Sequence, residues 1–279
     1  MSYISVDAKA LLAAGAHFGH KTSRWHPAMR QYIHSKRGDT HIIDLTQTAS
    51  HLEAALSAIE EAVSKGGKVL VVSTKRQAKD AIQKLADDTN MPYVVNRWLG
   101  GMMTNQKTMS ERIKYLKKQE DRMANGELAA KYNKLEVQQY QEEIDAMNVL
   151  YGGIKELPAK PAVVFVIDIM HDRNAVAEAT KLGVPVVGLV DTNGDPRTIK
   201  YPVPCNDDAL KTIELVCDYV RQAIEAGKAK QKAAPEVTDK KTAVKIESMH
   251  DKKATPQAEP KAEAQKPAAT KEEPKKEAK

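Results

Sequence analysis

Between Gly15 and Arg37 the chain concentrates five cationic residues (Lys21, Arg24, Arg30, Lys36, Arg37), four histidines (His17, His20, His26, His34) and Trp25. The stretch Gly-Ala-His-Phe-Gly-His-Lys-Thr-Ser-Arg-Trp-His-Pro contains no acid and shows no strand-like or helical apolar period. Cations, hydroxyls, an aromatic face and glycines for close approach are what a phosphate-rich partner needs. Two other sites invite the same reading. Ser73-Thr74-Lys75-Arg76 closes an apolar run and opens a helical pattern, so hydroxyls and cations meet a helix N-terminus. Asn96-Arg97-Trp98-Leu99-Gly100-Gly101 closes another, where Arg97 brings charge and Trp98 serves either the core or base stacking.

Other chemistries are weaker. His17, His20 and His26 suggest a metal, but no cysteine lies nearby and the spacing is not that of a zinc site, so a polar surface is the reading and no metal is assigned. Asp168 and Asp191 fall at strand ends, where open α/β sheets bind ligands and a phosphotransfer enzyme would put carboxylates. Such aspartates are also common caps and turns, and Asn193-Gly194-Asp195-Pro196 reads as a turn. The sequence has no Gly-x-Gly-x-x-Gly after the first strand, no Walker-type loop and no nucleophile in a recognisable context. No enzyme activity, cofactor or small-molecule substrate is assigned.

The elements that would position these residues alternate along the chain. Residues 42–45, 69–73, 93–95, 162–167 and 184–190 are short, β-branched and mostly apolar, as expected of strands buried on both faces of a parallel sheet. Helical patterns cover 46–64, 76–87 and 172–182, and another opens at Asn206. The fold class is therefore α/β, an open parallel sheet flanked by helices. Residues 104–150 interrupt it with two apolar periodic stretches around Asn125-Gly126, read as an inserted antiparallel coiled-coil hairpin. Its first limb is basic and its second acidic. Either the limbs pair with one another, or Lys107, Arg112, Lys114 and Lys118 also form an outward ridge.

The net charge of +6 and pI of about 9.0 are misleading as a whole-chain signal. Residues 228–279 hold fourteen lysines against nine acids, so the domain at 1–227 is nearly neutral and any electrostatic footprint is local. That Lys/Ala/Glu/Pro tail lacks the apolar residues to fold and reads as disordered, a solvated segment or a weak RNA attractant. Two cysteines without a Cys-x-x-Cys pair, no span of some 20 apolar residues and no signal-peptide pattern suggest a cytosolic chain with no membrane partner.

Several motifs in order resemble one family. They are Leu11-Leu12-Ala13-Ala14-Gly15-Ala16-His17-Phe18-Gly19-His20, Trp25-x-Pro27-x-Met29, His41-Ile42-Ile43-Asp44-Leu45, Thr74-Lys75-Arg76 and Arg97-Trp98-Leu99-Gly100-Gly101-Met102-x-Thr104-Asn105. Tyr151-Gly152-Gly153-Ile154, Pro161 to Asp168, Gly183-Val184-Pro185, Asp191-Thr192-Asn193-x-Asp195-Pro196 and Asn206-Asp207-Asp208 continue the series. Over residues 3–226 the chain resembles bacterial small-subunit ribosomal protein S2. It departs at Leu157-Pro158-Ala159-Lys160, at Cys205 and in its long tail.

The resemblance implies a flavodoxin-like sheet with a protruding coiled-coil hairpin. It also implies a structural, ribosome-associated role between head and body of the small (30S) subunit. Its partners would be 16S rRNA and neighbouring proteins, including the large mRNA-binding ribosomal protein that it helps recruit. The residues expected to face RNA are Lys21, Arg24, Trp25, His26, Lys36, Arg37, Lys75, Arg76, Arg97 and Lys107, with Lys114 and Lys118 on the hairpin.

Overall fold

The computed structural model describes residues 4–233. Five strands form a parallel sheet: β4 (Val69–Val72), β5 (Tyr93–Val94), β6 (Val163–Val166), β7 (Val186–Val190) and β8 (Tyr201–Pro204). Their order, β5-β4-β6-β7-β8, is that of a doubly wound flavodoxin-like sheet, with the direction of winding reversing between β4 and β6. β4, β6 and β7 are buried at every position, which explains their unbroken apolar sequence.

Both faces are covered. α1 (Ala8–Ala14), α2 (Leu45–Ser64), α3 (Lys79–Thr89) and α8 (Leu210–Ala233) bury one face around Leu56, Ile59, Phe165 and Val220. α7 (Arg173–Lys181), the 3₁₀ turn Gly152–Ile154 and the segment carrying Trp98, Met102 and Met103 bury the other.

Both sheet edges are closed by sequence-specific devices. On β8, the Cys205 N–H donates to Val190 O, so alternation turns the nitrogens of Pro202 and Pro204 outward, where no partner strand needs a donor. The Pro204 carbonyl accepts from the Thr48 hydroxyl at 2.6 Å. On β5 the cover is Gly153, where a Cβ would come within 2.3 Å of Tyr93 O. The Tyr-Gly-Gly-Ile motif is therefore a contact that only glycine permits.

Three sequence expectations change. Residues 42–45 do not join the parallel sheet. β3 (Thr40–Ile43) is instead the central strand of a small antiparallel sheet with β1 (Phe18–Lys21) and β2 (Ile33–Arg37). The hairpin region holds α4 (Gln106–Ala124) and α6 (Lys134–Tyr151), which pack on each other, and Asn125-Gly126 forms the expected turn, but a short third helix, α5 (Glu127–Lys131), is added between that turn and α6. α8 continues to Ala233, so residues 228–233 are helix and not tail. Residues 234–279 lie outside the described residues.

Candidate nucleic-acid interface

The N-terminal sheet is a platform of cations. Lys21 and Arg37 both pair with Thr40, one from each side, so they occupy one row across the sheet. Two strand spacings put their backbones roughly 10 Å apart on the same face. Lys36 pairs with His41 in the adjacent row, which projects to the opposite face. Lys21, Arg24, Arg30, Lys36 and Arg37 are all exposed, and none forms an ion pair among the described residues.

The sheet is held by its other side. The Asp191 carboxylate accepts from Thr192 N–H and Oγ1 and lies 3.0 Å from His20 Nδ1. His20 N–H donates to Thr192 Oγ1 at 2.8 Å, and His26 N–H to Thr192 O at 2.7 Å. Gly19 permits this approach, since a Cβ there would stand 2.5 Å from Thr192 Cγ2.

Three histidines register the resulting field. His17 and His41 are pushed below the ordinary imidazole value by burial, reinforced by Arg37 and Lys36 respectively. His20 is pushed up by its hydrogen bond to Asp191, with Asp207 and Asp208 adding to the effect against burial. His20 thus faces the acids, whereas His17 and His41 lie near the cations Arg37 and Lys36.

Those acids converge from the ends of β6, β7 and β8, and the cation they surround is Lys75. Its Nζ lies 3.3 Å from Asp168, 2.8 Å from Asp207 and 2.6 Å from Asp208. The Lys75 side chain is only 11% exposed and Asp207 only 3%. Burial together with Asp168 and Asp191 raises the Asp207 carboxyl to about 7, while the acids hold Lys75 protonated against the cost of burial. Lys75 is therefore no free RNA-facing cation; the structure spends its charge inside the protein. Asp168 is equally committed, because its Oδ1 accepts the N–H groups of Met170 and His171.

His20, Asp191 and Asp207 bring one ligand atom each to within 4.8 Å of one another, a donor set able to hold a divalent cation. The three histidines of the initial motif are not brought together. His17 stacks on Phe18 with ring centroids 4.0 Å apart, and His26 accepts the Ala28 N–H through Nδ1.

The remaining expected residues divide. Trp25 is half-buried and packs against His41 in a tilted arrangement, with centroids 5.2 Å apart. Arg76 and Arg97 are exposed beyond β4 and β5, and Lys107, Lys114 and Lys118 are exposed on α4. Trp98 is core, and its Nε1 donates to Glu178 at 3.0 Å. The same carboxylate accepts from the N–H groups of Gly101, Met103 and Thr104 and from Thr104 Oγ1. These bonds hold the Glu178 carboxyl below the ordinary range against the opposing effect of burial. Glu178 thus folds the Arg97–Asn105 loop around itself. Sequence reading missed it, since its donors lie 74 to 80 residues away.

Residues 11–227 match the family described as ribosomal protein S2. This chain belongs to the ribosomal protein S2 family. It is 45% identical over 235 residues to the small ribosomal subunit protein uS2 of Dehalococcoides mccartyi (strain CBDB1), covering 84% of this chain and 96% of that protein. Identity to the uS2 of Rickettsia rickettsii (strain Sheila Smith) is 46% over 223 residues, 80% of this chain and 76% of the relative. The uS2 of Rickettsia bellii (strain RML369-C) gives 46% over 222 residues, with 80% and 76% covered. Members of the S2 family are structural, non-enzymatic proteins. In this S2 chain, accordingly, the aspartates at the strand ends serve as anchors of the N-terminal sheet. No described helix is long and apolar enough to cross a membrane.

Proposed function

We propose that the chain is a structural constituent of the small ribosomal subunit that binds 16S rRNA through the exposed cations of its N-terminal sheet. The observation that carries this reading is the set of exposed cations Lys21, Arg24, Arg30, Lys36 and Arg37, left without ion pairs among the described residues on and around a sheet that is anchored to acids through His20. Phosphate contacts of this kind position RNA by charge and shape without a base code. Arg76 and Arg97, exposed beyond β4 and β5, are further candidate phosphate contacts.

In the same reading α4 and α6 form an antiparallel coiled-coil limb. Lys107, Lys114 and Lys118 recur at spacings of seven and four, which places them on one helical stripe. The protein sits between head and body in the cytoplasmic ribosome, beside neighbouring small-subunit proteins, and supports recruitment of the large mRNA-binding one.

The test is sedimentation of the tagged full chain from cell extract. It should travel with small subunits at moderate salt. Migration only as a free monomer or oligomer would end the ribosomal reading.

A further inference from the structure

At the carboxyl ends of β4, β5 and β6 lies a crevice of about 300 Å³, lined by Thr74, Arg97, Trp98, His171, Asp172 and Asn174 among others. It opens where the winding of the sheet reverses, the place at which doubly wound sheets receive ligands. Its base is rigid. Asp172 accepts the Thr74 N–H at 3.0 Å and the Thr74 hydroxyl at 2.7 Å. Thr74 Oγ1 lies 2.8 Å from His171 Nδ1, which fixes the imidazole ring.

The groups around that base are unspent. Arg97, Asn174 and His171 Nε2 have no hydrogen-bond or ion-pair partner among the described residues. The His171 side chain is 51% exposed. The neighbouring cluster around Lys75 is the opposite, since its cation is consumed by three carboxylates. One end of the sheet edge is thus self-satisfied, while the other holds a preformed cleft with three idle polar groups.

We propose that this crevice binds a nucleotide unit, with its phosphate on Arg97 and its base against the His171 ring and the Trp98 wall. A guanidinium suits phosphate, and a flat ring fixed by a hydrogen bond suits a stacked base. Asn174 supplies an amide for the sugar or base edge. The unit is either an unpaired residue of an RNA strand or a free mononucleotide. In its RNA form the inference rests on the proposed rRNA role and adds to it a contact distinct from the N-terminal sheet.

The experiment compares the full wild-type chain, Arg97→Ala/His171→Ala, and the N-terminal variant Lys21→Ala/Arg24→Ala/Lys36→Ala/Arg37→Ala. Each is titrated with 16S rRNA and, separately, with AMP, GMP, CMP and UMP by saturation-transfer NMR. Arg97 and His171 are exposed, and an unchanged melting temperature confirms that the variant is folded; Asn174→Ala gives an independent second variant. The crevice variant should weaken rRNA binding about tenfold, the scale of one stacked base. Ultraviolet irradiation of the wild-type complex should leave a nucleotide adduct on the tryptic peptide 98–107 or on the peptide ending at Arg173.

Mononucleotide signals lost in the crevice variant would support the site with a free ligand. An effect on rRNA alone would support it with RNA as the source. If rRNA binds with wild-type affinity to both crevice variants, adducts fall elsewhere and mononucleotides give no variant-sensitive signal, the crevice proposal is overturned while the N-terminal role stands. Failure of the wild-type chain to bind rRNA at all would instead overturn the RNA role.

Discussion

Replacing Lys75 with methionine separates a structural from an RNA-binding cation. The Lys75 ammonium sits 3.3 Å from Asp168, 2.8 Å from Asp207 and 2.6 Å from Asp208. Asp208 is more than half exposed and counts for little, whereas Asp168 and Asp207 are nearly enclosed. Lys75→Met would leave both, with Asp191 close by, facing only His20. Removing one partner of a buried pair costs about 3–5 kcal/mol. The Asp207 carboxyl already stands at about 7 and can take up a proton, which relieves part of that cost. The lower end, about 3 kcal/mol, is therefore expected near neutrality, a fall of roughly 6–12 °C in melting temperature for a domain of this size.

The loss should shrink at pH 5.5, below the raised value of Asp207, where that carboxyl takes up a proton, and Asp207→Asn added to Lys75→Met should recover part of it. The assay is thermal unfolding at pH 5.5 and 7.5, with rRNA affinity measured against salt in parallel. An unchanged melting temperature with a salt slope flattened by about 0.7–0.9 would refute the reasoning, because Lys75 would then be a phosphate contact.

Further outcomes follow from the same geometry. Glu178→Ala strands the Trp98 Nε1 and three backbone N–H donors, so chemical denaturation should show a loss of about 2–4 kcal/mol. Since the Glu178 carboxyl is held below its unfolded value, its contribution is present above the ordinary 4.5 and disappears as pH falls through the folded value; Glu178→Gln should flatten that acid limb of the stability curve. His20 and Asp207 are both raised, so their stabilisation is lost as pH rises: for Asp207 between 3.8 and about 7, and for His20 from 6.5 upward through its folded value. Melting in EDTA should accordingly fall between pH 7 and 8, above the range in which the lowered His17 and His41 act in the opposite sense, and a rise across that window would contradict the anchoring scheme. Gly153→Ala drives a methyl into Tyr93 O and should cost about 1–3 kcal/mol in denaturant unfolding.

Legibility in the sequence followed the range of the interactions. The strands buried on both faces were readable because continuous burial leaves continuous apolarity, as in Val69–Val72 and Val163–Val166. β8 escaped because Tyr-Pro-Val-Pro looks like a breaker until its prolines are seen on an outer edge. β1 and β2 escaped because their residues are mostly exposed and polar, with no alternation to read. Of the candidate site, the density of cations between Lys21 and Arg37 was visible, but the pairing that puts Lys21 and Arg37 beside Thr40 was not. Lys75 misled for a physical reason. Ser-Thr-Lys-Arg at a strand end has the local form of an anion site, and the acids that neutralise it arrive 93 and 132 residues later. The fixed ring of His171 had no local signature either, since its partner Thr74 is 97 residues away.

The central claim is that the N-terminal sheet grips RNA by phosphate contacts. The most direct measurement is the dependence of 16S rRNA affinity on salt for the wild-type chain and for Lys21→Ala/Arg24→Ala/Lys36→Ala/Arg37→Ala. If each cation meets a phosphate, the slope of log affinity against log salt should flatten by about 0.7–0.9 per residue, close to three in all. A slope unchanged from wild type, with the fold intact, would place the RNA interface elsewhere.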